Sequence, residues 1–180
     1  MTRALKAISA AGLLAALLST LPARAEPAVE LPTRKAGLWE LSMLPAGETT
    51  PNMTMQHCTD ESTDKQMSSS FSPMAKSACS KNETVKTATG YSTDAVCSVA
   101  GIQTTSHSEI TGDFNAAYSV KITSHNESAP AGVPSDTAMT LQAKWLGACK
   151  ADQKPGDIMM PGGFKMNIKD VEKLKGLLPR

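Results

Sequence analysis

Aromatic side chains are scarce in this sequence: its 180 residues include two Trp, two Tyr and three Phe, 4% of the chain. A core with so few large rings is thin and needs support from elsewhere. An excess of either charge is missing as well, with 18 Lys and Arg against 17 Asp and Glu. That balance excludes a nucleic-acid binder built on bulk positive charge and leaves net charge silent about partners. The four cysteines are scattered without a Cys-x-x-Cys pair, which argues against zinc. Gly-x-Ser-x-Gly, His-Glu-x-x-His and a phosphate-cradling Gly loop do not occur either. Asp94, Glu109 and Asp113 fall on different segments with no second carboxylate at a fixed spacing, so paired acid–base work has no visible basis. The expectation is a non-enzymatic protein without a cofactor, although groups that converge only in the fold escape such a reading.

The N-terminus carries an address. Arg3 and Lys6 precede an apolar run from Ala7 to Leu21, and Ala23-Arg24-Ala25 supplies a small-x-small cleavage pattern before Glu26. The run is shorter than the ~20 residues a spanning helix needs, and no second long run follows, so residues 1–25 are expected to be a secretory signal and the chain to have no transmembrane segment. No cysteine follows the cleavage site, which removes a lipid anchor. The product is expected in the periplasm or secreted, in an oxidising compartment where thiols pair.

Four cysteines allow three complete pairings. Cys79 to Thr87 and Tyr91 to Val99 are β-prone runs, and a hairpin centred on Ala88 sets Cys79 opposite Cys97. Cys58 is then left to Cys149. In the chain-entropy view the short bridge stabilises by about 3 kcal/mol and the long one by nearer ~5 kcal/mol.

Other short, Ser- and Thr-rich alternating segments read as strands: Gly37 to Leu44, Asn52 to Cys58, Gly101 to Ile110, Ala116 to His125 and Asp136 to Leu146. Thr-Gly-Asp and Ala-Pro-Ala-Gly-Val-Pro separate the later ones. The fold expected is mostly β, an antiparallel sheet of about seven strands curved into an open or partly closed barrel. A peripheral helix is expected over Asp60 to Phe71. Ile168, Val171, Leu174 and Leu178 form the stripe of a C-terminal amphipathic helix capped by Asn167. Residues 26–150 form the disulfide-stapled domain on this reading, and Asp152 to Met166 reads as a surface linker rich in Pro, Gly and Met. The basic residues Lys165, Lys169, Lys173, Lys175 and Arg180 read as a solvated face.

Arg34-Lys35-Ala36-Gly37-Leu38-Trp39-Glu40, a cysteine ending the second strand, and Lys144-Trp145-Leu146-Gly147-Ala148-Cys149 together resemble a bacterial secreted family known as domain of unknown function 3617. The likeness spans roughly Leu31 to Lys150. Ala36 and Ala148 stand where members often have proline. The resemblance implies export in Gram-negative bacteria and a mostly β domain; it implies no activity and carries over no site.

Two constellations remain. Trp39, Leu41 and Met43 share one face of their strand and are candidates to line a surface for a small apolar ligand, with Trp39 either facing that pocket or plugging the core. Met53, Met55 and His57 share one side of the next strand, a donor set suited to Cu(I) that equally fits flexible core packing. His107 and His125 lie on adjacent strands, but a turn near Asp113 would oppose Ser119 to His107 and keep the imidazoles apart. Asn52-Met53-Thr54, Asn82-Glu83-Thr84 and Asn126-Glu127-Ser128 match the glycosylation pattern, which reads as coincidence given the bacterial export that the resemblance implies. The functional expectation is a binding module for a small apolar ligand, or alternatively a protein-interaction module acting on an envelope protein through exposed loops.

Overall fold

The computed structural model describes residues 29–67, 78–99, 101–129, 131–132 and 134–170. The expected signal segment and the apolar stripe beyond residue 170 lie outside them. Among the described residues nine strands make one antiparallel sheet: β1 Gly37–Pro45, β2 Met53–Thr59, β3 Cys79–Lys86, β4 Gly90–Val99, β5 Ile102–Asp113, β6 Ala117–Asn126, β7 Asp136–Gly147, β8 Asp157–Met159 and β9 Lys165–Asn167. Their order is β3-β4-β5-β6-β7-β1-β2-β8-β9. Strands β3 to β7 form a meander, and β1 enters from a distance to lie between β7 and β2.

The barrel expectation is corrected. The sheet is neither closed nor strongly curled. Closure needs the two end strands to pair, and here β3 and β9 are the ends of a nine-strand order. The two additional strands come from the segment read as a linker. Strand β8 pairs with β2 through Gln56–Met159 and His57–Ile158, and a 3-10 turn at Pro161–Gly163 returns the chain as β9. Polar contacts hold the short strands in place: the buried Asp157 accepts from the Lys154 N–H at 2.9 Å and from Asn167 Nδ2 at 2.7 Å. Asn167 Oδ1 in turn accepts the Lys169 N–H at 3.0 Å, the cap expected for the helical turn at 168–170.

Helix α1, residues 61–67, follows β2. Asp60 starts it by accepting the Thr63 N–H at 2.8 Å, while Thr63 Oγ1 accepts the Asp60 N–H at 2.9 Å. That hydrogen bond from the Thr63 backbone holds the Asp60 carboxyl down at about 2. The remainder of the expected Asp60 to Phe71 helix lies outside the described residues.

Burial alternates along β5 and β6, half-buried on one face and exposed on the other, as the Ser- and Thr-rich alternation implies. The inner face is densest at β1 and β7, where Trp39, Leu41 and Ala143 form the buried cluster and Met55, Tyr118, Leu141 and Trp145 pack around it. The expected thinness of the core is thus met by concentration on the central strands of the sheet. The two ends of the family-like pattern meet here. Leu38 pairs with Gly147 and Trp39 with Trp145, Leu146 being bulged out between them. A Cβ on Gly37, whose φ is +134°, would stand 2.3 Å from the Gly147 carbonyl oxygen and 2.6 Å from Trp145 Nε1. Only glycine lets these segments close.

Both expected disulfides are present, Cys79–Cys97 and Cys58–Cys149, and no cysteine is free. The hairpin register differs by one from the expected centring on Ala88: Thr84 pairs with Thr93 and Lys86 with Tyr91. A bulge between Cys79 and Lys81 restores the offset, so Cys79 still opposes Cys97. The longer bridge links β2 to the residue two past β7. Cys58 and Gly147 flank Leu38 on either side, and with the Cys58 and Cys149 Cα atoms only 5.5 Å apart the chain from Gly147 to Cys149 passes the start of β1 to reach β2, where Leu38 is buried. Replacing Cys58 and Cys149 together by serine is expected to cost about 5 kcal/mol, against about 3 kcal/mol for the Cys79 and Cys97 pair, because the loops closed differ at 91 and 18 residues. Denaturant unfolding of the two double variants measures the order.

Candidate functional site

The site begins with β-strand pairing. Strand β1 sets Trp39 beside His57 of β2 and Trp145 of β7, Leu41 between Met55 and Ala143, and Met43 between Met53 and Leu141. The apolar-ligand candidates and the soft-metal candidates of the sequence are therefore cross-strand neighbours in one patch. At its centre Trp39 has no exposed surface, and its indole N–H donates to the Lys35 carbonyl at 2.8 Å. Trp39 is a floor in this arrangement and offers no surface to a ligand. Leu41 is buried, and Met43, Met53, Met55 and Leu141 are half-buried around it.

Sequence reasoning missed the polar group that seals the patch. Arg34, just before β1, gives its backbone N–H to Asp64 Oδ2 at 2.8 Å and its Nε–H to Oδ1 at 2.7 Å, with Nη2 2.6 Å from the same oxygen. Nη2 also donates to His57 Nδ1 at 3.0 Å, and the guanidinium carbon lies 5.8 Å from the Trp39 ring. Asp64 comes from α1, so one carboxylate docks the helix onto the chain entering β1. Arg34, His57 and Asp64 are all buried. A line of rings continues from there: Trp39 to Tyr118 at 5.7 Å, Tyr118 stacked on Phe114 at 4.8 Å, and Phe114 edge-on to Tyr91 at 6.2 Å. Five of the scarce aromatics thus work together with Lys35, whose ammonium sits 3.7 Å from the Trp145 ring centre. The signal that pointed to Arg34 was its place at the head of the family-like motif; Asp64, inside an unremarkable polar run, had none.

The electrostatics follow from this burial. A guanidinium only donates, so His57 Nδ1 is an acceptor and the neutral ring carries its proton on Nε2. Desolvation first, and the Arg34 charge second, lower His57 to about 4, with Asp64 opposing. Its Nε2 is sealed from solvent with no hydrogen-bond partner. Burial likewise pushes the Tyr118 hydroxyl up. Met53, Met55 and His57 do share the expected strand face. However, Nδ1 is taken and a fixed cation adjoins the ring, so the surroundings oppose a copper ion and favour packing. Among the described residues, no three His, Cys, Asp or Glu side chains are grouped to hold a metal.

A family model described as protein of unknown function (DUF3617) matches residues 34–149. The chain belongs to this family. The DUF3617 span opens at Arg34 of the buried triad and closes at Cys149 of the long disulfide, so its limits coincide with two constraints on β1. Strands β8 and β9 fall outside it. A search of the curated proteins and one of the solved structures found no match.

Two outcomes follow for the triad. The unfolded chain binds a proton on His57 near the ordinary 6.5 while the folded one waits until about 4, so His57's contribution is complete above pH 6.5 and is lost as pH falls towards 4. The loss amounts to about 3 kcal/mol. Denaturant midpoints between pH 7 and pH 4 measure it, and His57→Gln should flatten the slope. Separately, Arg34→Ala is expected to destabilise by about 3–5 kcal/mol by taking the guanidinium away from the buried Asp64 carboxylate, whereas Arg34→Met with Asp64→Leu costs far less.

Proposed function

We propose that this DUF3617 chain is an exported, non-enzymatic binding module of the periplasm or extracellular space, whose inner sheet face takes a small apolar ligand. The observation that carries the reading is the patch itself: Met43, Met53, Met55 and Leu141 stand half-buried over a rigid floor of Trp39 and Ala143. Unbranched thioethers on a fixed base adapt to apolar shapes at low cost. Two disulfides fit an oxidising compartment, and the expected signal segment agrees with export. A protein partner from the envelope is the second reading, favoured by the sheet ends: β3 and β9 each pair with one neighbour among the described strands, and such edges accept a further strand.

Native mass spectrometry of protein purified from its export compartment is expected to reveal a bound apolar species. An apolar fluorescent probe should bind the emptied protein and be displaced by that species. Met43→Glu, on a half-buried position, should weaken probe uptake at least ten-fold while the protein stays folded. A folded parent protein that carries no such species and takes up no probe overturns the reading.

A further inference from the structure

The outer face of the same sheet holds a second arrangement. The β5–β6 register places Thr111 opposite Ser119 and Thr123 opposite His107, correcting the expected opposition of Ser119 to His107. With Thr105 opposite His125, the two imidazoles become diagonal neighbours. They lie on the face away from Trp39: Ile110, Val120, Leu141 and Met43 form one row of the inner side, and His107 has the opposite parity to Ile110 along β5.

Each ring is oriented by a carboxylate from the strand beyond it. His107 Nδ1 lies 2.7 Å from Asp94 Oδ1, its partner on β4, and His125 Nδ1 lies 2.8 Å from Asp136 Oδ1, its partner on β7. An ionised carboxylate accepts the Nδ1 proton and leaves a lone pair on Nε2. The strand order therefore reads carboxylate, imidazole, imidazole, carboxylate across β4 to β7. Both couples line one open groove of about 610 Å³, together with the hydroxyls of Thr105, Thr123 and Thr137. Diagonal positions on neighbouring strands lie about 7–8 Å apart, a separation two imidazoles can close around one ion with metal–nitrogen distances of about 2 Å. Outer carboxylates that fix the ring and raise its basicity are the usual support of metal-bound histidine.

We propose that His107 and His125 form a two-imidazole site for a divalent transition cation of the zinc and copper class, with Asp94 and Asp136 as positioning residues and water completing the coordination. The cation is held by nitrogen donors of intermediate softness, which favours zinc or copper over magnesium or calcium. The site is independent of the apolar-ligand reading, since it uses the other face.

Zinc titration by calorimetry on the full-length mature chain tests it. One zinc per chain is expected. His107→Gln and His125→Gln should each remove that binding event, because two donors act as one chelate, and Asp94→Asn should weaken it ten-fold or more. Nitrogen-resolved NMR of the rings should show both Nε2 atoms shifting together on zinc addition. All three side chains are exposed, so unchanged circular dichroism separates loss of binding from loss of fold. The proposal fails if zinc does not bind, if the double histidine variant binds as the parent does, or if one substitution leaves the parent's affinity intact.

Discussion

The buried contact between Arg34 and Asp64 is the constraint on which the rest depends. Its carboxylate takes both the backbone and the side chain of one arginine, so it fixes where the chain enters β1 as well as where α1 lies. A buried ion pair is costly in general and is tolerated when its remaining hydrogen-bonding capacity is used. Here the third partner is an imidazole, and the flat guanidinium lies near the indole that anchors the core. With few aromatic side chains available, fixing Trp39 by polar contacts substitutes for bulk that the sequence does not provide.

The other supports divide the sheet between them. The hairpin disulfide staples β3 to β4 at one end of the strand order, and the long bridge ties the end of β2 to the segment following β7. Strands β8 and β9 lie outside the DUF3617 span, but β8 pairs with the flank of β2, which would otherwise end the sheet, and β9 pairs with β8. An unpaired flank bearing the His57 backbone would be open to pairing with other chains. Both faces are then free for separate chemistry, the inner one apolar and adaptable, the outer one polar and carrying oriented imidazoles.

Local patterning made the strands of the meander legible to within a few residues, and symmetry about a turn revealed the cysteine partners. Registers were less accessible. Thr111-Gly112-Asp113 has turn composition, yet all three lie in β5, and the reversal is made by Phe114, Asn115 and Ala116, with Asp113 Oδ1 accepting the Asn115 N–H at 2.8 Å. Gly112 is there because Ala117 and Tyr118 approach its backbone too closely for a side chain. That shift of the turn is what brought His107 and His125 together. Strands β8 and β9 were hidden because Pro and Gly around them signal loops, while their pairing depends on a distant strand. Arg34 with Asp64 escaped for a similar reason: nothing in either neighbourhood encodes a contact 30 residues away.

The placement of β1 between β7 and β2 also orders events in time. Each strand from β3 to β7 pairs with its neighbour in sequence, so the meander assembles through short loops. Leu41, by contrast, must find Ala143 across most of the domain. Such distant pairing closes slowly, and until it does the indole of Trp39 stays in water beside an unfinished apolar surface. The chain therefore completes its largest buried side chain last, with the long disulfide, which ties β2 to the segment just past β7, locking an assembly that the meander alone cannot finish.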